Sequence, residues 1–452
     1  MKLRFCRARN QQRAATLTGD PHHLIVSTAV AEPALSFEKQ PGARPLHSGG
    51  GSTRNSSTEQ HGRRPRPRST TRLGLTLTLI AASLGVQAGC RAEQPWPLWQ
   101  AYSQRMIAGD GRVLDRTAGD RTTSEAQAYA MFFALVADDR SQFDKLLNWT
   151  ESNLAGGDLT VRLPAWSWGK NPDGSWKIID PNPASDADLW LAYDLLEAGR
   201  LWREPRYERL GTLVASRIAQ AEVAPVLGVG TTLLPGAVGF HPDPGTWILN
   251  PSYLPPFVLV RLSSAFPEGP WSAVLGSVHP ILSKGSPGGF AMDWVAAGFA
   301  VMPSISPAQL ASGDHTAPPI GSYDAIRVYL WLGLSDKSTP GLKSLFDDTS
   351  GMAAYLKHQV TPPHKVDGQG IVLATDAPVG FSAAVVPYLQ ALNLKPQEKT
   401  QLDRINALRD PSTGLYGKDP AYYDQNLILF ATGWTEGRYR FDRDGKLVTH
   451  WR

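Results

Sequence analysis

Cysteine is nearly absent from the sequence: 452 residues contain only Cys6 and Cys90. A framework of disulfides needs more, and so does a thiolate metal site, so neither organises this chain. Paired histidines are missing too. None of the ten His stands in a His-x-x-x-His or His-Glu-x-x-His spacing, the pattern that puts two imidazoles on one helical face for zinc, and no metal or cofactor is expected. A long apolar run is also lacking. The stretch Leu73 to Val86 falls short of the roughly 20 residues of a membrane-spanning helix, so stable membrane insertion is not expected. Finally, there is no excess charge where a fold could use it. The formal net charge is +4, but 13 of the 45 basic and 4 of the 41 acidic residues precede residue 91, leaving 32 bases against 37 acids in the remaining 362. A nucleic-acid partner, which calls for a basic footprint across the domain, is thereby excluded.

What is present divides at residue 90. Residues 1–60 are rich in Arg, Ser, Gly and Pro and show no sustained apolar period; they cannot bury enough surface to offset the entropy of ordering. They read as a disordered extension, or as sequence upstream of the true start. Residues 61–90 run from Arg63-Arg64-Pro65-Arg66-Pro67-Arg68 through the apolar stretch to Val86-Gln87-Ala88. This basic, apolar, small-residue order is that of a secretory signal, which points to a periplasmic or secreted protein; an uncleaved N-terminal anchor is the alternative. Gln87 stands where lipoprotein signals carry a branched aliphatic residue, so Cys90 is not expected to be lipidated. All 14 Trp follow residue 90, and residues 91–452 are expected to form one large domain.

Helix dominates that domain. Ser124 to Ala137, Asp186 to Arg203, Arg206 to Val223, Tyr323 to Leu334 and Tyr423 to Gly433 carry apolar residues at i, i+3, i+4 and i+7. Loops rich in Pro and Gly separate them: Leu163 to Pro183, Leu227 to Pro256, Pro303 to Gly321 and Pro362 to Gly380. Strand signals are short, as in Tyr439-Arg440-Phe441 and Lys446-Leu447-Val448 around Asp444-Gly445. The class is all-α with a few short strands, and long loops gather where binding would occur. Periodicity alone does not separate a closed helical barrel from an open stack.

Three carboxylates stand at predicted helix starts: Glu125, Asp186 (with Asp188) and Asp324. Each has a structural explanation. Thr122 with Glu125 matches a capping box, Ser185 with Asp188 nearly does, and acids in a first turn complement the helix dipole. Their neighbourhood argues for more, because the preceding loops are rich in Trp, Tyr, Asn and Arg, which stack on and hydrogen-bond sugars. Two carboxyl groups facing a glycosidic bond suffice to hydrolyse it without a cofactor.

The sequence from about Trp96 onward resembles glycoside hydrolase family 8, in the branch that accompanies bacterial cellulose synthases. The resemblance rests on Arg121-Thr122-Thr123-Ser124-Glu125-Ala126-Gln127-Ala128-Tyr129, Leu163-Pro164-Ala165-Trp166-Ser167-Trp168-Gly169-Lys170 and Ala184-Ser185-Asp186-Ala187-Asp188. It continues through Asn250-Pro251-Ser252-Tyr253-Leu254-Pro255-Pro256, Ser322-Tyr323-Asp324-Ala325-Ile326-Arg327-Val328-Tyr329 and Pro378-Val379-Gly380-Phe381-Ser382-Ala383-Ala384. Six such segments in family order are highly specific. The chain departs from the family pattern at Ala126 and Ala130, where Gly is usual, and at Leu191 and Asp194, where Ile or Met and a small residue are usual; none is a catalytic carboxylate.

The resemblance implies an (α/α)6 barrel whose cleft crosses the N-terminal ends of the inner helices, making residues 91–452 a catalytic domain. It implies hydrolysis of β-1,4-glucans with inversion, Glu125 as general acid, Asp324 as base, and Asp186 holding the sugar at the cleavage point. A helix N-terminus lowers the pKa of Glu125, whereas an acid must arrive protonated; Asp186 is the expected like charge that pushes it back up. Arg327, one turn after Asp324, is expected to keep that residue ionised. Tyr253 looks like the family tyrosine that helps hold the attacking water. The other expected substrate contacts are Trp166, Trp168, Asp188, Asn250, Tyr323 and Tyr422. Trp176 and Trp247, in loops, are candidates for sugar stacking, Tyr423 for the product side, and Trp149, Trp202, Trp331 and Trp434 for the core. The expected partner is a β-1,4-glucan polysaccharide, with a functional link to cellulose synthase, and the enzyme is expected to be a monomer. Rival readings are a non-catalytic glucan-binding subunit, a family member acting on xylan or chitosan, and a lyase on a similar barrel.

Overall fold

The computed structural model describes residues 95–313 and 316–451. The disordered or upstream extension expected at 1–60 and the signal expected at 61–90 lie outside the described residues. Fourteen α-helices are seen among the described residues: α1 (Pro97–Met106), α2 (Ser124–Val136), α3 (Arg140–Asn153), α4 (Ser185–Trp202), α5 (Pro205–Ala221), α6 (Pro256–Ala265), α7 (Trp271–Gly285), α8 (Pro307–Ser312), α9 (Tyr323–Leu334), α10 (Leu342–Asp348), α11 (Ser350–Leu356), α12 (Val379–Ala391), α13 (Lys395–Ala407) and α14 (Tyr422–Thr435).

Two kinds of helix alternate along the chain, and their sequences say why. Helices α2 and α12 are apolar on every side and bury 12 and 11 of their 13 residues, respectively; a helix with no polar face belongs in an interior. In α5 the buried residues are Tyr207, Gly211, Val214, Ala215 and Ile218, a single stripe with a polar face opposite. The inner helices α2, α4, α6, α9, α12 and α14 each contact the next, and α14 returns to α2, closing a ring. Outside it α3 packs on α2, α5 on α4, α7 on α6, α10 on α9, α13 on α12 and α1 on α14. Six inner and six outer helices make an (α/α)6 barrel.

Aromatic rings fill its interior. Trp190 of α4 lies 5.6 Å from Tyr129, 5.0 Å from Phe132, 5.4 Å from Trp331 and 5.2 Å from Phe430 between ring centroids, tilted or edge-on, as ring quadrupoles prefer. The barrel is therefore a packed core. Inner helices α9 and α12 meet tightly at Gly333, where a Cβ would lie 2.2 Å from the backbone nitrogen of Tyr388. Trp149 and Trp331 are buried as expected. Trp202 and Trp434 are half-buried, since their indole nitrogens reach out to donate to Asp138 (2.6 Å) and Gln390 (3.1 Å).

The long connections carry more strand than the sequence reading allows. Thr122–Thr123, Ser167–Lys170 and Trp176–Asp180 form one small sheet, Thr246–Leu249, Trp294–Gly298 and Met302–Ser304 a second, and Ile320–Gly321, Lys365–Asp367 and Val372–Ala374 a third. Strands of two to five residues are too short for alternation to show, and their partners lie far off in sequence. The first and third sheets tie the N-terminal ends of α2 and α9 to the loops around them, because Thr122 pairs with Trp168 and Gly321 with Val366.

Candidate active site

The cleft, about 650 Å³, is lined by Glu125, Asp186, Asp324, Tyr253, Arg327 and Trp166 together with loop residues. Each carboxylate sits in the first turn of an inner helix, α2, α4 or α9. Thr123, not Thr122, caps α2: its hydroxyl accepts the Ala126 N–H at 3.1 Å, while the Thr122 hydroxyl donates to the Val113 carbonyl at 2.6 Å. No capping box forms there, and Glu125 is free to face the cleft. The Trp166 carbonyl accepts the Ser124 N–H at 3.0 Å, fixing the loop aromatic beside the helix start.

Arg327 organises the site. It is 2% exposed, and its guanidinium meets all three carboxylates rather than Asp324 alone. One amino group donates to Glu125 and stands 3.4 Å from Asp186; the other donates to Asp324 at 2.8 Å and to the Ser252 hydroxyl at 2.9 Å. The Glu125 and Asp324 carboxyl groups thus flank one guanidinium on its two arms. They differ in openness, since the Asp324 side chain is 32% exposed, Glu125 12% and Asp186 5%.

Burial raises both carboxyl groups of the closed pair. It pushes Glu125 above the usual carboxylate range against the opposing pull of Arg327, with Asp324 adding a like-charge push. The physical cause is therefore desolvation first, with Asp324 rather than the Asp186 expected from the sequence as the like charge. Burial likewise carries Asp186 up to about 8, helped by Glu125 and opposed by Arg327, so Asp186 holds a proton at neutral pH and can donate a hydrogen bond. Tyr253 is pushed far up by burial and stays a neutral donor; its ring lies 5.6 Å from the Arg327 guanidinium carbon.

Other expected contacts stand off the cleft surface. Trp168 packs on Trp149 and Trp176, at 5.4 and 5.5 Å, with the Arg112 guanidinium 4.4 Å from its ring, so it is engaged away from the cleft that Trp166 lines. Trp176 is 43% exposed on the outer surface, and Trp247 stacks on His241 at 3.8 Å. Asn250 is buried and accepts the Ser252 N–H and hydroxyl at 3.0 and 2.7 Å, which holds Ser252 for Arg327. Asp188 is buried against Glu222, and desolvation first, then Glu222, pushes its carboxyl far up. The Tyr323 ring packs edge-on against Phe381 at 5.0 Å, and its carbonyl accepts the Tyr423 hydroxyl. The Tyr422 hydroxyl donates to Glu125 at 3.3 Å, so it acts on the carboxylate. Of the family departures, Ala126, Ala130 and Leu191 are buried, and Asp194 is fully buried with its carboxyl pushed far up by desolvation.

Asp293, Trp294 and Phe240 line the cleft but escape sequence reasoning, because they lie outside the recognised segments and carry no spacing signal. Trp294 and Phe240 stack at 6.2 Å. Among the described residues, no group of three or more His, Cys, Asp or Glu is arranged to hold a metal ion. A buried carboxyl group and a more open one on opposite arms of a guanidinium, in a cleft with aromatic walls, are the pair of groups that can cleave a glycosidic bond with water alone.

The glycosyl hydrolases family 8 model matches residues 71–437. An endoglucanase of Xanthomonas axonopodis pv. citri (strain 306) is 44% identical over 380 residues, 84% of this chain and 94% of its own. An endoglucanase of Escherichia coli (strain K12) is 40% identical over 381 residues, 84% of this chain and 97% of its own. Among solved structures, an endo-1,4-D-glucanase from Vibrio fischeri ES114 superposes with a TM-score of 0.70 at 38% identity, covering 79% of this chain and 99% of its own.

Proposed function

The chain belongs to glycosyl hydrolase family 8 and is an endoglucanase, and from that premise we propose that it cleaves β-1,4-glucan with inversion, Glu125 acting as general acid and Asp324 as base. The observation that carries this reading is the split of the two carboxyl groups by Arg327: the buried one pushed above the usual carboxylate range, the other open to the cleft. Asp186, itself protonated, donates to a hydroxyl of the sugar at the cleavage point. Asp324 takes a proton from water while Glu125 gives one to the departing oxygen; the neutral Tyr253 phenol helps to hold that water. Trp166 offers a face for the chain on one side of the cleavage point.

An inverting pair needs roughly 6.5–9.5 Å between carboxyl groups to admit the water, against about 5 Å in a retaining pair. Interposing a guanidinium supports the wider arrangement. Proton NMR of a fresh cello-oligosaccharide digest tests it. The first product is the α-anomer, relaxing later by mutarotation; a β-anomer first would replace this mechanism by a double displacement. The signal-like order of residues 61–90 supports action in the periplasm or outside the cell, and the resemblance of the six segments to the cellulose-synthase branch supports a role in cellulose synthesis. Reducing-end release from carboxymethylcellulose should exceed that from xylan and chitosan.

A further inference from the structure

Asp324 occupies the second position of α9, and the helix start that aims it is not capped in the ordinary way. A Ser at the N-cap usually accepts an N–H of the first turn with its own hydroxyl. Ser322 does not: its hydroxyl donates instead to the His364 carbonyl at 2.7 Å. Two backbone donors of this helix start go instead to a residue from elsewhere in the chain. One oxygen of Asp293 accepts the N–H of Ser322 at 2.8 Å and the N–H of Ala325 at 2.8 Å, two donors that bracket Asp324. Asp293 is itself anchored, because its own N–H donates to the Ile320 carbonyl at 2.9 Å. It is 8% exposed and lines the same cleft.

We propose that Asp293 is a positioning residue for hydrolysis: by accepting both N–H groups it fixes the first turn of α9 and so the direction from which the Asp324 carboxylate meets the attacking water. This rests on Asp324 being the base. A buried acceptor that ties two backbone donors is costly to remove, and a displacement of about 1 Å at a reacting group can cost on the order of 10²-fold in rate. The inference concerns acceptance rather than charge. Burial, with a like-charge push from Asp324 and an opposing pull from Arg327 and the two N–H groups, carries Asp293 up to about 7, so in mildly acidic solution its neutral form predominates. An asparagine is the neutral isostere of that form and keeps the accepting oxygen.

Three variants separate the possibilities, assayed at about pH 6 on the same cello-oligosaccharide with melting temperature and circular dichroism recorded. Asp293→Asn should keep kcat within about threefold of wild type. Asp293→Ala should lose 30-fold or more in kcat with KM within about threefold. Asp293→Glu, which keeps an acceptor but moves it by one methylene, should also lose kcat without raising KM, and it decides the matter if the alanine variant does not fold. Equal losses in the asparagine and alanine variants would overturn the inference, as would an effect confined to KM or full activity of the glutamate variant. Asp324→Asn runs alongside. If it stays active, the base assignment fails; if it is inactive while Asp293→Ala and Asp293→Glu are unimpaired, only the positioning role of Asp293 fails.

Discussion

Replacing Glu125 by Gln removes one proton from the site and almost nothing else. The amide matches the carboxyl group in size, and burial already pushes the native side chain above the usual carboxylate range, toward the neutral form that the amide imitates. Arg327 loses one partner but keeps Asp186, Asp324 and Ser252, and Tyr422 still finds an acceptor. The melting temperature should therefore move by no more than a few degrees. The rate should not survive so well. General acid help is worth on the order of 10²–10⁴-fold, about 3–5 kcal/mol of barrier, and kcat on an unactivated glucan should fall by that factor with little change in KM. A 2,4-dinitrophenyl β-cellotrioside, whose leaving phenolate departs without a proton, should be cleaved by the variant at close to the wild-type rate. Its pH profile should also lose the fall at high pH that deprotonation of the acid imposes. Retention of more than about a tenth of kcat on the unactivated glucan would refute the assignment. Equal loss on both substrates would show that Glu125 serves the architecture of the site rather than proton transfer.

Stability should fall as pH rises. Asp186 and Asp293 are carried to about 8 and about 7, and Asp188, Asp194 and Glu222 well above their usual range, all chiefly by burial. The native state then holds protons that the unfolded chain, with carboxyl groups titrating near 4, has already released, so unfolding is favoured progressively between about pH 4 and 8; calorimetry at constant ionic strength should give a higher melting temperature at pH 5 than at pH 8, and the reverse order would contradict the burial of these groups. Gly333→Ala should lower the melting temperature by several degrees, since the new methyl would meet the Tyr388 nitrogen and the Pro387 carbonyl carbon at 2.2 and 2.3 Å, and overpacking against backbone costs about 1–3 kcal/mol or more; an unchanged melting temperature would mean that α9 and α12 are not in contact there. Prolonged dialysis against a chelator should leave kcat unchanged within error, and a loss restored by one particular divalent ion would refute the metal-free mechanism.

The sequence by itself determined the helices and the chemical candidates. Tyr323–Leu334 is the span that its apolar period predicts, and α2 and α4 end within two residues of theirs, because a sustained 3.6-residue repeat is a local property. The same holds for Glu125, Asp186, Asp324, Tyr253 and Arg327, each lying in a segment of recognisable order. Tertiary structure decided the rest. Closure of the ring depends on the contact of α14 with α2, which no local period encodes. The fold placed Trp166 on the cleft and Trp168 in a cluster with Trp149, Trp176 and Arg112, two fates that their shared segment does not distinguish. Desolvation, which exists only once the chain has folded around a group, raised Glu125 and Asp186 and displaced the simpler expectation of a neighbouring charge. Asp293 became visible as part of the site only through two hydrogen bonds to backbone donors 29 and 32 residues away. A residue that acts by accepting backbone N–H groups leaves no mark at the positions it serves, since every non-proline residue offers the same donor.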